Sequence, residues 1–318
     1  MNTKLKQNIN VGVDTGKFQL DIYIRPLDIF FTVKNDEKGI KEAVKTIKKY
    51  EPERIVIEAT GRLEMPFIIA CAKANLPFTI ANPIHVKRFS GAIGQRAKTD
   101  KLDAQLIAHY SEAIKPPLSK LKPDTMQAMS DLVTRRNQLL TMQTMEKNRL
   151  QIMPKKLAMT IKPVLTLFKN QIIKIEDRIT RLIDSCPEYQ TKNKILQSMT
   201  GIGKIAAASI ISNLPELGYI NSKQASALIG VAPMNRESGR YKGKRKIQGG
   251  RPQVRTVLYM AMMSAMQSNP VFKTTYQRLL AAGKPKKVAI IACVRKMIVI
   301  LNSMLRDGVM WDETTVKN

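Results

Sequence analysis

The chain has 318 residues, enough for two or three domains, and its 44% hydrophobic content is that of a folded soluble protein. Its 53 Lys and Arg against 25 Asp and Glu give a formal net charge of +28, which self-repels unless a polyanion compensates it; nucleic acid is the leading partner. The basic residues are spread along the chain, no uninterrupted apolar run reaches spanning length, and the start MNTKLKQNIN lacks an apolar signal core, so a cytoplasmic protein without a membrane partner is expected.

The elements read in order as follows. Residues 11–14 (VGVD) and 20–24 (LDIYI) are strands around a Thr15-Gly16-Lys17 turn, with a third strand at 29–33 (IFFTV). Residues 36–50 have helical spacing, acids first and lysines last, as the helix dipole favours. A strand at 54–58 (RIVIE), a buried helix over 63–74 and a strand at 78–81 (FTIA) complete a mixed sheet flanked by helices. After Pro116-Pro117 the texture changes. Residues 124–151 and 164–183 are long and heptad-like, broken near Pro154 and Pro163, which predicts two antiparallel helices: a coiled coil, or a helical linker packed on its own domain. Residues 195–214 read as helix, GIG turn and helix, 232–251 as a loop rich in Lys, Arg and Gly, and 252–267, 271–282 and 285–305 as three closing helices. The expected division is an α/β domain over 1–115, a helical coiled-coil middle over 116–190 and a mainly α domain over 191–318.

Cys71, Cys186 and Cys293 are far apart and form no CxxC, which predicts free thiols rather than a structural zinc site. His85 and His109 both lie in the first third, so no histidine base is available further along. Carboxylates are the more telling residues. Asp14 ends the first strand, Glu58 ends the fourth, and both precede turn-forming residues (DTG, EATG). Asp100 and Asp103 in QRAKTDKLDAQLIA lie three apart, one helix face, behind a basic run. Each acid alone has an ordinary explanation: a turn residue, a solvated strand end, a helix cap and its first-turn acid. Together they form a set that can converge at strand ends and hold divalent metal, Mg2+ suiting all-carboxylate ligation, with two ions as the expected number.

GVDTGK, IEATG and KTDKLDA, followed by GIGKIAAASI, GVAPMNRESG and GGRPQVRTVLYMAMMSAM, resemble the DEDD transposases of the Piv-like insertion-sequence family over nearly the whole chain. The resemblance implies a ribonuclease H/RuvC-like first domain whose four acids are Asp14, Glu58, Asp100 and Asp103. One departure is Thr200, which stands before GIG where the family often has Pro.

Ser238 lies among Arg236, Arg240, Lys242, Lys244, Arg245 and Lys246. By composition alone this is a flexible basic loop touching phosphates, with Ser238 a hydrogen-bond donor. The resemblance implies more: Ser238 as the nucleophile that forms a covalent phosphoserine link to DNA, with Tyr241 a weaker rival because no histidine accompanies it. The GIG segment resembles a helix-hairpin-helix, whose glycines let backbone N–H groups approach phosphate; a tight helix–helix turn without a ligand is the plain alternative. Lys204, Lys223, Arg251 and Arg255 are further expected phosphate contacts. The resemblance also implies donor and target DNA as substrates, a guiding bridge RNA, and a homo-oligomer, dimer or tetramer. The rival functions are a metal-dependent junction endonuclease that does not need Ser238, and a non-catalytic nucleic-acid-binding protein that does not need the acids.

Overall fold

Alternation with period two organises the first part of the chain. The computed structural model describes residues 8–314 apart from Arg96, Arg236, Arg240 and Lys244, and the side chains of Tyr241 and Lys242. Three strands, β1 (Asn10–Thr15), β2 (Gln19–Arg25) and β3 (Ile29–Lys34), form an antiparallel meander. Helix α1 (Glu37–Lys48), capped by the Asp36 carboxylate on Gly39 N, leads to β4 (Arg54–Glu58), then α2 (Met65–Lys73) and β5 (Phe78–Ala81). Strand β4 pairs with β1 and β5 with β4, both in parallel, so the sheet order is β3-β2-β1-β4-β5. Helices α3 (Pro83–Ala92) and α4 (Asp100–Ile114) follow. Val11, Val13, Ile55 and Ile57 face α1 and α2, packing on Ile40, Ile47, Phe67 and Ile68. The alternate residue Val56 faces the other way, onto Leu106, Ile107 and Tyr110 of α4.

Helix α4 lies directly on β1 because Gly12 has no side chain. A Cβ there would sit 2.2 Å from the Ala104 carbonyl oxygen and 2.3 Å from the Ala108 nitrogen, both backbone atoms that cannot swing aside. Buried Ser111 donates to Asn10 Oδ1 (2.6 Å), Gln105 to Tyr23 Oη (3.2 Å), and Arg25 pairs with Glu112 (2.6 Å), which fixes the register of the helix on the sheet. Gly12→Ala is therefore expected to destabilise the protein by at least the roughly 1–3 kcal/mol typical of overpacking. Urea unfolding checks this; an unchanged midpoint would mean that α4 is not seated on β1.

The chain divides into two compact units between Leu121 and Lys122. The second begins with an αα-hairpin, α5 (Asp124–Ile152) and α6 (Lys155–Asp184), turned at Met153-Pro154. Pro163 does not break α6, contrary to the sequence expectation. Met159, whose carbonyl would receive the missing N–H, is 70% exposed, so water can satisfy that carbonyl. Met129, Val133, Ile175 and Ile179 of the hairpin share one core with the helices that follow. Elsewhere the hairpin leaves Met145, Ile152, Leu157, Met159 and Leu167 exposed.

Then come α7 (Pro187–Ser198), α8 (Lys204–Asn213) and α9 (Ser222–Leu228). Residues 232–251, expected as a loop, form a two-tier hairpin instead. Its outer tier pairs β6 (Pro233–Met234) with β9 (Lys246–Ile247), and its inner tier pairs β7 (Glu237–Ser238) with β8 (Tyr241–Lys242). Helices α10 (Pro252–Ser268), α11 (Pro270–Ala281) and α12 (Lys286–Asp307) close the fold. By length and composition α12 would cross a membrane, but its apolar face, including Val294, Met297, Ile298 and Leu301, is buried in the core of the second unit. All three cysteines are free, and burial pushes the Cys71 thiol to about 12 and the Cys293 thiol to about 11, which leaves both inert.

Candidate active site

Asp14 and Glu58 reach the same place by strand register. Val13 pairs with Ile57 on the parallel neighbours β1 and β4, so the next residues, Asp14 and Glu58, stand side by side at the carboxyl ends of the strands. Period two puts Asp14 on the face of Gly12 and Glu58 on the face of Val56, both towards α4. Thr99 caps α4 by accepting from Leu102 N (3.2 Å), and the first turn carries Asp100 and Asp103 where the helix dipole favours negative charge. Asp14, Glu58 and Asp103 line one cavity of about 460 Å³, together with Lys87, Lys98, Ser90 and Gln95. Asp100 is exposed and does not line it; Gln19 Nε2 donates to its Oδ2 at 3.5 Å.

The electrostatics of this cavity are unfavourable as it stands. Burial pushes the Asp14 carboxyl above its ordinary value, and the charges of Asp103, Asp21 and Asp100 push it further. Burial raises Glu58, helped by Asp14 and Asp103 and opposed by the Lys98 ammonium. Asp103 is raised by burial against the pull of Lys98, with Asp100 adding to the rise. Acids so placed call for a cation. The donors at the cavity fit a hard divalent ion: they are carboxylate oxygens, with no histidine or cysteine among the described residues of its walls. Among the described residues no three acidic, histidine or cysteine side chains already close around a single point.

Two features of this site are absent from the sequence reading. Asp21, 4% exposed, lies directly across from Asp14 on β2 and accepts from Thr32 Oγ1 (2.6 Å) and Gln19 Nε2 (2.9 Å). Its signal is a charge inside the apolar run LDIYI. Among the described residues Lys87 and Lys98 are the cations of the cavity, and Lys98 stands just before the TDKLDA stretch.

Ser238 is exposed on β7, opposite Tyr241 in the inner tier of the hairpin. Arg236, Arg240 and Lys244, and the side chain of Lys242, lie outside the described residues. Arg245 reaches the Glu237 carboxylate at 3.8 Å, and Lys246 is exposed. Lys204 and Lys223 are exposed at the starts of α8 and α9. Arg251 and Arg255, expected at phosphates, are engaged inside the protein. Arg251 makes a bidentate pair with Glu216 (2.6 and 2.7 Å) and also donates to the Asn213 carbonyl (2.6 Å). Burial pushes the Glu216 carboxyl up, but these hydrogen bonds outweigh it and hold the group below its ordinary value. Among the described residues Arg255 donates to backbone carbonyls alone. In the GIG turn, Gly201 (φ 102°) packs against α10, where a Cβ would meet Ala265 Cβ at 2.7 Å, whereas Gly203 at the start of α8 faces open space.

Two family profiles match the chain in series. One, a DEDD transposase profile of IS110 type, covers residues 11–154, and the other, for transposases of the IS116/IS110/IS902 family, covers residues 193–277. The pilin gene-inverting protein of Moraxella bovis is 25% identical over 313 residues, spanning 95% of this chain and 97% of that protein. Its counterpart in Moraxella lacunata matches over the same extent at the same identity. A 43.6 kDa protein of insertion element IS110 from Streptomyces coelicolor is 27% identical over 150 residues, 46% of this chain and 36% of that protein.

Proposed function

Because the chain belongs to the IS110/IS116/IS902 family of insertion-sequence transposases, we propose that it cuts and rejoins DNA with a carboxylate–metal site and a nucleophilic serine. It is a DNA transposase; family membership sets aside the non-catalytic reading. The observation that carries the rest is the cavity at the ends of β1 and β4, where Asp14, Glu58 and Asp103 repel one another. In this reading the first unit is a ribonuclease H/RuvC-like domain, α5 and α6 are a coiled-coil middle, and the last part is a helical domain bearing a helix-hairpin-helix and the serine.

Asp14, Glu58 and Asp103 hold Mg2+, two ions in the full site, with Asp100 at the rim as the fourth acid. When bound, Mg2+ polarises a phosphodiester and stabilises the developing charge. Lys87 and Lys98 hold the DNA phosphate at the cavity mouth. Ser238 Oγ attacks the phosphorus. The new O–P bond replaces the bond to one deoxyribose oxygen, which leaves as a hydroxyl carrying the serine proton. Rejoining is the reverse attack by a strand hydroxyl, so the phosphodiester energy is retained. Arg236, Arg240, Lys242, Lys244, Arg245 and Lys246, neighbours of the serine in sequence, supply positive charge that suits a crowded phosphoryl transition state. Lys204, beside Gly203 at the open start of α8, and Lys223 serve as outlying phosphate contacts. A bridge RNA supplies the sequence recognition that so few aromatic side chains do not. The exposed apolar residues of the α5–α6 hairpin support a homo-oligomer, dimer or tetramer.

The test is to incubate the protein with Mg2+ and DNA carrying the ends of its element and to map any protein–DNA adduct. An adduct at Ser238 supports the reading. Strand cleavage with no adduct, the oxygen coming from water, overturns it. Affinity for DNA should also fall steeply with salt, with a slope of about −0.9 per neutralised phosphate in a log–log plot. A flat response would mean that the +28 charge serves another partner.

A further inference from the structure

We infer that Arg255 is a positioning residue for the serine hairpin: its guanidinium locks the two ends of the hairpin together and so sets where Ser238 is presented. The inference rests on reading Ser238 as the nucleophile. The hairpin leaves the core at Gly230 and returns at Gly249-Gly250, all three with positive φ (69°, 73° and 67°). The two ends touch through bare backbone. A Cβ on Gly230 would lie 2.1 Å from the Gly249 carbonyl oxygen, and one on Gly250 would lie 2.2 Å from Gly230 N. Arg255 Nη1 sits against this contact and donates to Gly249 O (2.7 Å), Ile229 O (3.0 Å) and, at longer reach, Gly230 O (3.5 Å). It therefore joins the strand going out to the strand coming back. Arg251 N, donating to Leu228 O (2.9 Å), adds a second stitch at the same level.

Beyond this stem little else among the described residues holds the hairpin. Pro233, Met234, Glu237, Ser238, Lys246 and Ile247 are all exposed, and none belongs to a core cluster. The direction of the arm is set at its base, and an error there is carried to Ser238. Positive charge alone would not do this. A lysine head falls one bond short of the position from which Nη1 reaches the carbonyls of both segments.

The full-length protein with Arg255→Lys, Arg255→Ala or Gly250→Ala tests this, with three readouts. Each variant is expected to bind DNA with wild-type KM and salt slope and to form the serine–DNA adduct with a kcat lower by roughly 10²-fold, the cost of misplacing a reacting group by about 1 Å. Assays are run well below each variant's measured Tm, so loss of fold is excluded. Backbone amides of Val231 and Arg251 should exchange with solvent faster in the Arg255 variants, which reports the stem whatever Ser238 does. A salt slope reduced by about one in Arg255→Ala and restored in Arg255→Lys would identify a phosphate contact and overturn the inference. So would wild-type kcat in Gly250→Ala. Adduct formation that survives Ser238→Ala would instead defeat the nucleophile reading, and the exchange rates would then decide the stem separately.

Discussion

Asp14→Asn is expected to reduce strand cleavage by about 10³-fold or more, the several kcal/mol that a bound metal supplies, and to make the metal-free protein more stable than the wild type. The second half of this result separates a functional site from a structural one. Burial, then Asp103, Asp21 and Asp100, raise the Asp14 carboxyl, so the folded state binds its proton more tightly than the unfolded state. The sign follows: the protonated group costs nothing below the ordinary aspartate range, and the stability it permits is lost as pH rises through that range and then through the raised value. At neutral pH the wild type therefore carries a penalty that Asn removes. With chelator at pH 7.5 the variant should melt a few degrees higher. The difference should shrink as pH falls into the ordinary carboxylate range, and Mg2+ should raise the wild-type Tm more than the variant's. A variant that melts lower than wild type under chelator would show that Asp14 is held by structure rather than strained for use.

Ser238→Ala should abolish the adduct and strand joining, by more than about 10³-fold, with DNA binding unchanged. The large effect is expected because the serine supplies the oxygen that forms the new bond to phosphorus. The rival is Tyr241, which pairs with Ser238 across the hairpin, so a peptide carrying the adduct contains both residues. Chemistry resolves them. A serine phosphodiester is cleaved by β-elimination in alkali, and a tyrosine one is not. An alkali-stable adduct, or one lost in Tyr241→Phe and kept in Ser238→Ala, would move the chemistry to the tyrosine.

The two ends of the acid site differ in how far the sequence exposes them. The strands that carry Asp14 and Glu58 are legible because both faces of the sheet are covered, which concentrates Val and Ile in short runs; their alternation then assigns the acids to one face. Gly12 is legible in principle, since a glycine inside such a run marks close backbone approach, but which helix approaches is a tertiary fact. Asp21 shows only as a charge within an apolar run, and its role depends on the pairing of β1 with β2. Pro163 misleads because a proline on an exposed helix face leaves its orphaned carbonyl to water. The internal partners of Arg251 and Arg255 are hidden for a different reason. A basic loop looks uniform in sequence, whereas the partners that bind these two guanidiniums come, Gly249 apart, from residues 213–230 and are brought there only by folding.

Calorimetric titration with Mn2+ in place of Mg2+ measures directly whether the cavity between β1, β4 and α4 is a divalent-metal site. Saturable binding is expected at pH 7.5 in the wild type, weakening as pH falls and protons compete for the raised carboxyls, and strongly reduced in Asp14→Asn, Glu58→Gln and Asp103→Asn. No binding in the wild type, or binding of equal strength in all three variants, would contradict it.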